Sequence, residues 1–516
     1  MRAQQLRFVG ASDGTSAEVR RTLAQVRAEL DIPTSFPSQV LREARRTAEE
    51  AGAQDEARGA PAVPGPRTDR RDVPFVTLDP SGSQDLDQAF HLAADGDGHV
   101  LHYAIADVAA FVVPDGAVDA EARRRGLTLY GVDERTPLHP TVLSEGAASL
   151  LPGVDRRAAL WTVRLDADGE IVGAHVERAV VRSRRQLSYD ELQAVLDDPV
   201  PAVRAARDER AGTPGTPDLR TVAELLRTVG TRRLERERAR GGVSLDVPEQ
   251  VVVTHDDGTT TLEFRSVLPV ESWNAQLSLL TGIAAAHLMI GAGTGVLRTL
   301  PEAQPADVDR LRVRALALGV VWPEGATYAE VLAGLDPRDP RTAAFRTAAT
   351  SLFRGASYEV LGAAPPAGRP ARNGHVEAPS RHAALATYYA HVTAPLRRLV
   401  DRFGTEVCLA VCAGEPVPKW VLDALPALPA QMASAIRRDG QYQRAGLDVV
   451  EAALLTGHEG ETFPATAIEP EVVQLLAPAV KARIKGADLE VGAPVTVRVD
   501  SASVAERSVR LSVVAG

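Results

Sequence analysis

Asp79, Asp85 and Asp87 stand in the run PFVTLDPSGSQDLDQAFHL, residues 74–92, at a spacing that allows shared chemistry. An apolar strand delivers Asp79 at its end, and Pro80, Ser81, Gly82 and Ser83 make a turn. Asp85 and Asp87 then follow on one side of an extended segment, because side chains two apart point to the same face. Three converging carboxylates repel one another. A hard divalent cation such as Mg²⁺, which prefers oxygen ligands and retains waters, relieves that repulsion. Held against a phosphate, such a cation activates water, neutralises developing charge and stabilises a leaving oxygen, which is phosphodiester hydrolysis. The plainer reading is an exposed acidic turn, since Asp, Gly and Ser are common turn residues. An EF-hand calcium loop is set aside, because DPSGSQDLDQAF lacks that loop's glycine and terminal glutamate.

The elements that position these acids are short β-like runs beginning at Val73: PFVTL, QAFHL, HVLHYAIADVAAFV, AALWTVRL and AHVERAVVRS. Helical patterns dominate from about 271 to 455, notably ESWNAQLSLLTGIAAAHLMIGAG and RHAALATYYAHVTAPLRRLVDRFGTEVCLAVCAG, which makes the middle of the chain α+β. Between 218 and 240 an arginine-rich helical pattern interleaves opposite charges and reads as an exposed, salt-bridged helix, with an RNA-facing surface as the alternative. Two helices are expected within residues 16–52, either a helix-turn-helix that touches nucleic acid or a pair packed on its neighbour. Residues 53–72, rich in Gly, Pro and charge, read as a linker. After Gly460 short, regularly spaced strands suggest a small barrel of the OB type. The expected division is a helical module and linker over 1–72, a catalytic domain with a mixed sheet and helices over 73–456, and an OB-fold barrel over 457–516.

A chain of 516 residues, 45% hydrophobic and 24% charged, is expected to fold as several soluble domains. No apolar stretch is expected to reach the roughly 20 residues of a membrane span, and the N-terminus lacks a secretory apolar core. These features lead to an expected cytoplasmic location. Cys408 and Cys412, four apart in an apolar run, read as buried small hydrophobes in a reducing compartment rather than as half a metal site. The net charge of −10 argues against broad coating of nucleic acid, while leaving room for a local basic channel. Basic residues are almost all Arg, with Lys only at 419, 481 and 485, which reflects composition bias before any phosphate preference.

The run FVTLDPSGSQDLDQA resembles the catalytic signature of the ribonuclease II (RNB) family, in which a strand-end Asp is followed by a D-x-D-D-A stretch. The likeness extends through LHYAIADVAAFV, GLTLYGVDERTPLHPTVLSEGAASLLPGVDRRAALWTVRLD, ARGGVSLDVPE, ESWNAQLSLLTGIAAAHLM and YYAHVTAPLRRLVDR, covering about residues 66–456. It implies an RNB-type catalytic domain acting as a 3′→5′ exoribonuclease, which hydrolyses single-stranded RNA to 5′-mononucleotides with Mg²⁺, or Mn²⁺ as the alternative ion. Carried over residue by residue, Asp79 and Asp85 match metal-binding acids and Asp87 an acid essential for cleavage. Arg397 matches an arginine at the scissile phosphate, Tyr130 an aromatic residue that packs on the terminal base, and Tyr189 a tyrosine implicated in sugar recognition. Arg398 is either a second phosphate contact or a structural ion pair. Two positions depart from the pattern: Gln88 replaces the fourth acid, and Gln443 stands where glutamate is usual. A neutral amide at 88 leaves the site one charge short, so Gln88→Asp is expected to tighten Mg²⁺ binding. The companion aromatic of the base clamp is replaced near Thr294, and the family's two N-terminal cold-shock barrels have no counterpart in the helical first 72 residues. The competing expectation is an RNA-binding protein that keeps the RNB fold with weakened or lost catalysis. Neither reading includes a membrane partner or names a protein partner.

Overall fold

The computed structural model describes residues 13–57, 67–197, 215, 217–245, 249–254, 260–265, 267–335, 345–346, 348–362, 378–475 and 477–514. Helices α1 (Asp13–Glu29) and α2 (Ser38–Ala57) precede a sheet of β1 (Thr68–Asp69), β2 (Phe75–Asp79), β3 (Gln88–Asp95), β4 (Gly98–Ala106), β7 (Asp155–Leu165) and β8 (Ile171–Ser188). Helix α3 (Ala117–Arg125) and the small hairpin β5 (Leu129–Tyr130) and β6 (Arg135–Thr136) lie between β4 and β7. The strand order is β1-β8-β2-β3-β4-β7, and β8 is long enough to pair with β7 as well as with β1 and β2. Its first part runs antiparallel to β7, from Ile171 opposite Leu165 to Arg182 opposite Asp155, and its last part runs parallel to β2 up to Ser188 opposite Asp79. The sheet therefore closes on itself, and Asp79 falls at the strand ends.

Alternation along the strands divides the sheet's two faces between two cores. One gathers Val76, Leu78, Phe90, Leu92, Leu101, Tyr103 and Trp161 beneath α4 (Tyr189–Asp197), α5 (Leu219–Ala239) and α6 (Pro269–Ala292). The other gathers Phe75, Ala89, Ala104, Leu160 and Val181 with Val40 and Ala44 of α2. The short pairs β9 (Glu249–Thr254) with β10 (Thr260–Arg265) and β11 (Gly295–Thr299) with β12 (Ser357–Leu361) flank α6. Helices α7 (Pro305–Ala317) and α8 (Tyr328–Ala333) form a satellite core around Leu311, Leu332 and Phe345. The chain continues through α9 (Leu399–Ala413), α10 (Lys419–Ala424) and α11 (Leu428–Leu455) into a nearly closed five-stranded sheet of β13 (Thr462–Glu469), β14 (Val472–Leu475), β15 (Lys481–Arg483), β16 (Pro494–Ser503) and β17 (Ser508–Val513). The mixed α+β fold with an OB-type C-terminal barrel matches the expectation from sequence.

Several local expectations are corrected. Of the two readings for α1 and α2, packing on a neighbour is the one the structure fits: Val19, Leu23 and Val26 of α1 pack on Tyr442, Val449 and Val450 of α11, while α2 packs in a different core. Within the expected linker, residues 53–57 continue α2 and Thr68–Asp69 form β1, and residues 58–66 lie outside the described residues. Helix α5 is not a solvated charged rod, for it buries Leu226, Val229, Arg233 and Glu237, with Arg233 donating to the Gly169 carbonyl at 2.6 Å. Helix α6 is long and apolar enough to cross a bilayer, against the expectation that no stretch would be, yet most of its apolar window is packed inside the fold. Residues 381–398 form no α-helix before Leu399, only a 3-10 turn at Ala383–Leu385. Tyr388, Tyr389, Val392 and Thr393 favour extended backbone, and Pro395 excludes its predecessor from the helical region. Their amides are used elsewhere: the Ala390 N–H donates to the Gly282 carbonyl at 3.0 Å, an approach so close that a Cβ on Gly282 would lie 2.1 Å from the Tyr389 ring. Cys408 and Cys412 are free thiols on α9; Cys408 is buried in the main core, as expected, whereas Cys412 is only half-buried against it.

Candidate active site

Strand β2 buries Phe75, Val76, Thr77 and Leu78 and ends at Asp79. The chain then turns, with the Ser83 N–H donating to the Pro80 carbonyl at 3.2 Å and Gly82 at φ 81°, where a side chain would be strained. The returning segment is pinned by Leu86, whose N–H donates to Ser149 Oγ at 3.0 Å and whose carbonyl accepts from Leu150 at 3.0 Å. Asp87 is thereby buried at the start of β3. Its Oδ1 accepts from the Leu396 N–H at 2.8 Å, and Arg397 Nε lies 3.3 Å from its Oδ2. Arg397 sits deep in the protein, yet 46% of its side-chain surface remains open to solvent.

Burial pushes the Asp79 carboxyl up to about 7 and the Asp87 carboxyl up to about 8, with the Arg397 charge opposing the rise in both. Asp79 Oδ2 is buried without a hydrogen-bond partner. A buried, unpartnered carboxylate oxygen and two acids held towards neutrality by burial fit a divalent cation, which would stabilise both ionised forms. The expected convergence of three acids is not what the structure shows. Among the described residues no group of three or more His, Cys, Asp or Glu side chains forms a metal cluster. Asp85 instead faces Arg135, whose Nη1 lies 2.6 Å from Oδ1, and its Oδ2 accepts from the Tyr130 hydroxyl at 3.4 Å. The physical reason is the guanidinium, which supplies the compensating charge directly and also pairs with Glu145. Arg135 was missed in the sequence because its contacts depend on the β5–β6 hairpin folding over the acidic loop.

Gln88 is not a free amide able to coordinate: Oε1 accepts from the Tyr103 hydroxyl at 2.7 Å and Nε2 donates to the Thr393 carbonyl at 2.7 Å. Gln443 lies exposed on α11 with Nε2 3.0 Å from both Asp439 carboxylate oxygens. Tyr189 opens α4 beside the end of β2; its hydroxyl accepts from Asn274 Nδ2 at 3.4 Å, and the same amide lies 3.5 Å from the Leu78 carbonyl. Arg398 is committed to Asp401, with Nε 2.9 Å from Oδ2 and Nη2 2.8 Å from Oδ1, so of its two expected roles the geometry favours the ion pair. It stands at the N-cap position of α9, in extended backbone.

The family model described as RNB domain matches residues 67–404, and that described as RNase II-type exonuclease C-terminal S1 domain matches residues 461–514. The chain is 27% identical to Ribonuclease R of Escherichia coli over 72% of its length and 42% of that protein's. It is 28% identical to the exosome complex exonuclease dis3 of Schizosaccharomyces pombe over 65% of its length and 33% of that protein's. The chain thus spans less than half the length of these relatives. Among solved structures, the apo form of Mycoplasma genitalium RNase R superimposes with a TM-score of 0.79 at 17% identity, covering 97% of this chain and 78% of that one. Yeast Ssd1, a pseudonuclease, superimposes at 0.61 with 16% identity, covering 83% of this chain and 52% of that one. With the RNB domain matched over well more than half of the sequence and the S1 domain following it, the chain belongs to the RNB family of RNase II-type proteins.

Proposed function

We propose that the chain is a 3′→5′ exoribonuclease that hydrolyses single-stranded RNA to 5′-mononucleotides in the cytoplasm with Mg²⁺, Mn²⁺ being the alternative ion. The observation that carries this reading is the pair of half-buried Asp79 and buried Asp87 at the strand ends, with Asp79 Oδ2 buried and unpartnered and Arg397 against Asp87. Asp79 and Asp87 would hold the cation, which when bound lowers the pKa of a water and neutralises charge on the phosphate. Asp85 stays within electrostatic reach of both acids. Arg397, fixed by its neighbours and open to solvent, would receive the phosphoryl oxygens as their charge grows. Tyr130 offers a ring to the terminal base, a contact that suits any sequence because every base has a π face. Tyr189 borders the same site.

Incubating a 3′-labelled single-stranded RNA with the protein, with Mg²⁺ and with EDTA, tests this directly. Release of labelled 5′-mononucleotide only with Mg²⁺ is expected. Intact RNA that is nonetheless bound would favour the second reading, an RNA-binding protein with weakened or lost catalysis. The specific observation behind that alternative is Gln88, a neutral amide with both ends engaged where the family has an acid.

The C-terminal barrel is proposed to contact phosphates outside the site. It has few aromatics for stacking, Phe463 being the only one after Tyr442, but its Lys485, Arg498 and Arg510 are exposed. Deleting residues 458–516 would uncover Leu455 and take Val504 from the α1–α11 core, so substitution is the cleaner test. Replacing Lys485 and Arg510 by Ala is expected to weaken RNA binding and to flatten the slope of log affinity against log salt by about one per lost contact, with the cleavage rate of bound RNA unchanged. Filter binding across salt concentrations checks it, and superimposable curves would remove these residues from the RNA path.

A further inference from the structure

The turn at residues 393–398 supplies both groups that act on Asp87, the Leu396 N–H and the Arg397 guanidinium. Its own placement is set by bonds from several sides, among them the Arg398 pair with Asp401 and the His139 ring bonded to the Pro395 carbonyl. From the α9 side, Asp401 Oδ1 accepts from the Ala394 N–H at 2.7 Å. From the α3–β5 side, the Thr128 N–H donates to the Arg397 carbonyl at 3.0 Å. From the sheet side, consecutive residues grip the turn at two points: Asp87 at Leu396, and Gln88 at the Thr393 carbonyl. The Thr393 hydroxyl in turn bonds Ser278 Oγ at 2.8 Å.

The chemistry of position 88 is specific. The Thr393 carbonyl can only accept, so the atom facing it must be the amide nitrogen; the amide oxygen then faces Tyr103, whose buried hydroxyl needs an acceptor. One side chain must donate at one end and accept at the other, which a carboxylate cannot do. An ionised acid at 88 would keep the Tyr103 bond and set an oxygen against the Thr393 oxygen. An aliphatic residue would leave both buried partners unsatisfied.

We propose that Gln88 is a positioning residue that fastens the 393–398 turn to β3, setting the Leu396 amide and Arg397 on Asp87, and that position 88 supplies no ligand to the cation. The inference rests on the exoribonuclease reading for its kinetic consequences and on geometry alone for its structural ones. It reverses the expectation that Gln88→Asp would tighten metal binding.

The test uses the full chain and the variants Gln88→Leu, Gln88→Glu, Gln88→Asp, Arg397→Ala and the double variant Gln88→Leu/Arg397→Ala, with melting curves to confirm folding. In metal-free protein, hydrogen exchange of a peptide spanning 392–398 is expected to speed up by about tenfold or more in Gln88→Leu and Gln88→Glu, with the strands of the sheet unchanged. In single turnover on a short single-stranded RNA with Mg²⁺, Gln88→Leu is expected to lose about 10–100-fold in rate, the scale of a misplaced catalytic group, with RNA affinity and half-saturating Mg²⁺ both within about twofold of the parent. In the Arg397→Ala background that loss should shrink to about threefold or less, because the residue acts through the turn. Unchanged exchange at 392–398, fully additive losses, or Gln88→Asp lowering the half-saturating Mg²⁺ at full rate would each overturn the proposal. Should the parent chain fail to cleave RNA, the functional reading falls, and the exchange measurement still decides the role of Gln88.

Discussion

Asp87→Asn is expected to abolish cleavage, by roughly 10³-fold or more, while making the metal-free protein more stable at alkaline pH. The two effects share one cause. Burial raises the Asp87 carboxyl from its ordinary 3.8 to about 8, so the folded protein prefers it protonated. As pH rises past about 4 the unfolded chain gives up this proton first, and stability falls until the folded form also ionises near 8. At a little over 1.3 kcal/mol per unit, the cost in metal-free protein above pH 8 is of order several kcal/mol. Asparagine keeps the acceptor for the Leu396 N–H and carries no charge, so it avoids that cost and gives up the group proposed to hold the cation. Melting curves in EDTA should place Asp87→Asn a few degrees above the parent at pH 8.5, with the gap shrinking steadily as pH falls and closing near pH 4. Added Mg²⁺ should narrow the gap at pH 8.5 by raising the parent alone. Normal turnover in the variant would remove Asp87 from the mechanism, and a parent as stable as the variant at pH 8.5 in EDTA would show that burial does not penalise this carboxylate.

What the sequence revealed of this site was local. The apolar alternation of PFVTL and QAFHL located β2 and β3, and the Pro-Ser-Gly-Ser turn between them followed from residue type, so Asp79 at a strand end was readable. The partners of these residues were not. Thr393, which holds Gln88, lies on a segment whose spacing of Ala, Leu, Tyr and Val imitates a helix, and tertiary donors such as Ala390 to Gly282 tip it to the extended form its β-branched and aromatic residues and Pro395 allow. Arg135 reads as one charge in a polar turn, and it becomes Asp85's partner only when the β5–β6 hairpin folds over the acidic loop. Spacing therefore predicted three converging acids, whereas folding sorts them into two carboxyls raised by burial and one already paired with an arginine. Arg398 is the opposite case, for its Asp401 partner lies three residues on, a spacing that brings side chains together at a helix start and was readable from the sequence.

Arg397→Ala is the second large effect, an expected fall of about 10²–10³-fold in single-turnover rate, the range for deleting one preorganised donor to developing charge. The loss should be felt in the chemical step, because the residue is held in place before RNA arrives: its backbone carbonyl accepts from Thr128, its N–H donates to the Ala394 carbonyl at 3.1 Å, and its guanidinium Nε lies 3.3 Å from Asp87 Oδ2. Lysine at this position should recover only part of the rate, since a point charge lacks the planar, forked donor set. A second consequence separates this residue from a simple phosphate contact. Its charge is the leading influence that opposes burial in both Asp79 and Asp87. Without it, both carboxyls bind their protons more tightly and ionise at higher pH. Cation binding, which needs them ionised, should then weaken most near neutral pH and recover as pH rises. The rate of Arg397→Ala at fixed, subsaturating Mg²⁺ should accordingly climb over a more alkaline range than that of the parent, and Arg397→Lys, which keeps the charge, should restore the parent's range without its full rate. If the alanine variant lost rate equally at every pH, Arg397 would serve the phosphate alone, and the ionisation of Asp79 and Asp87 would be governed by their burial.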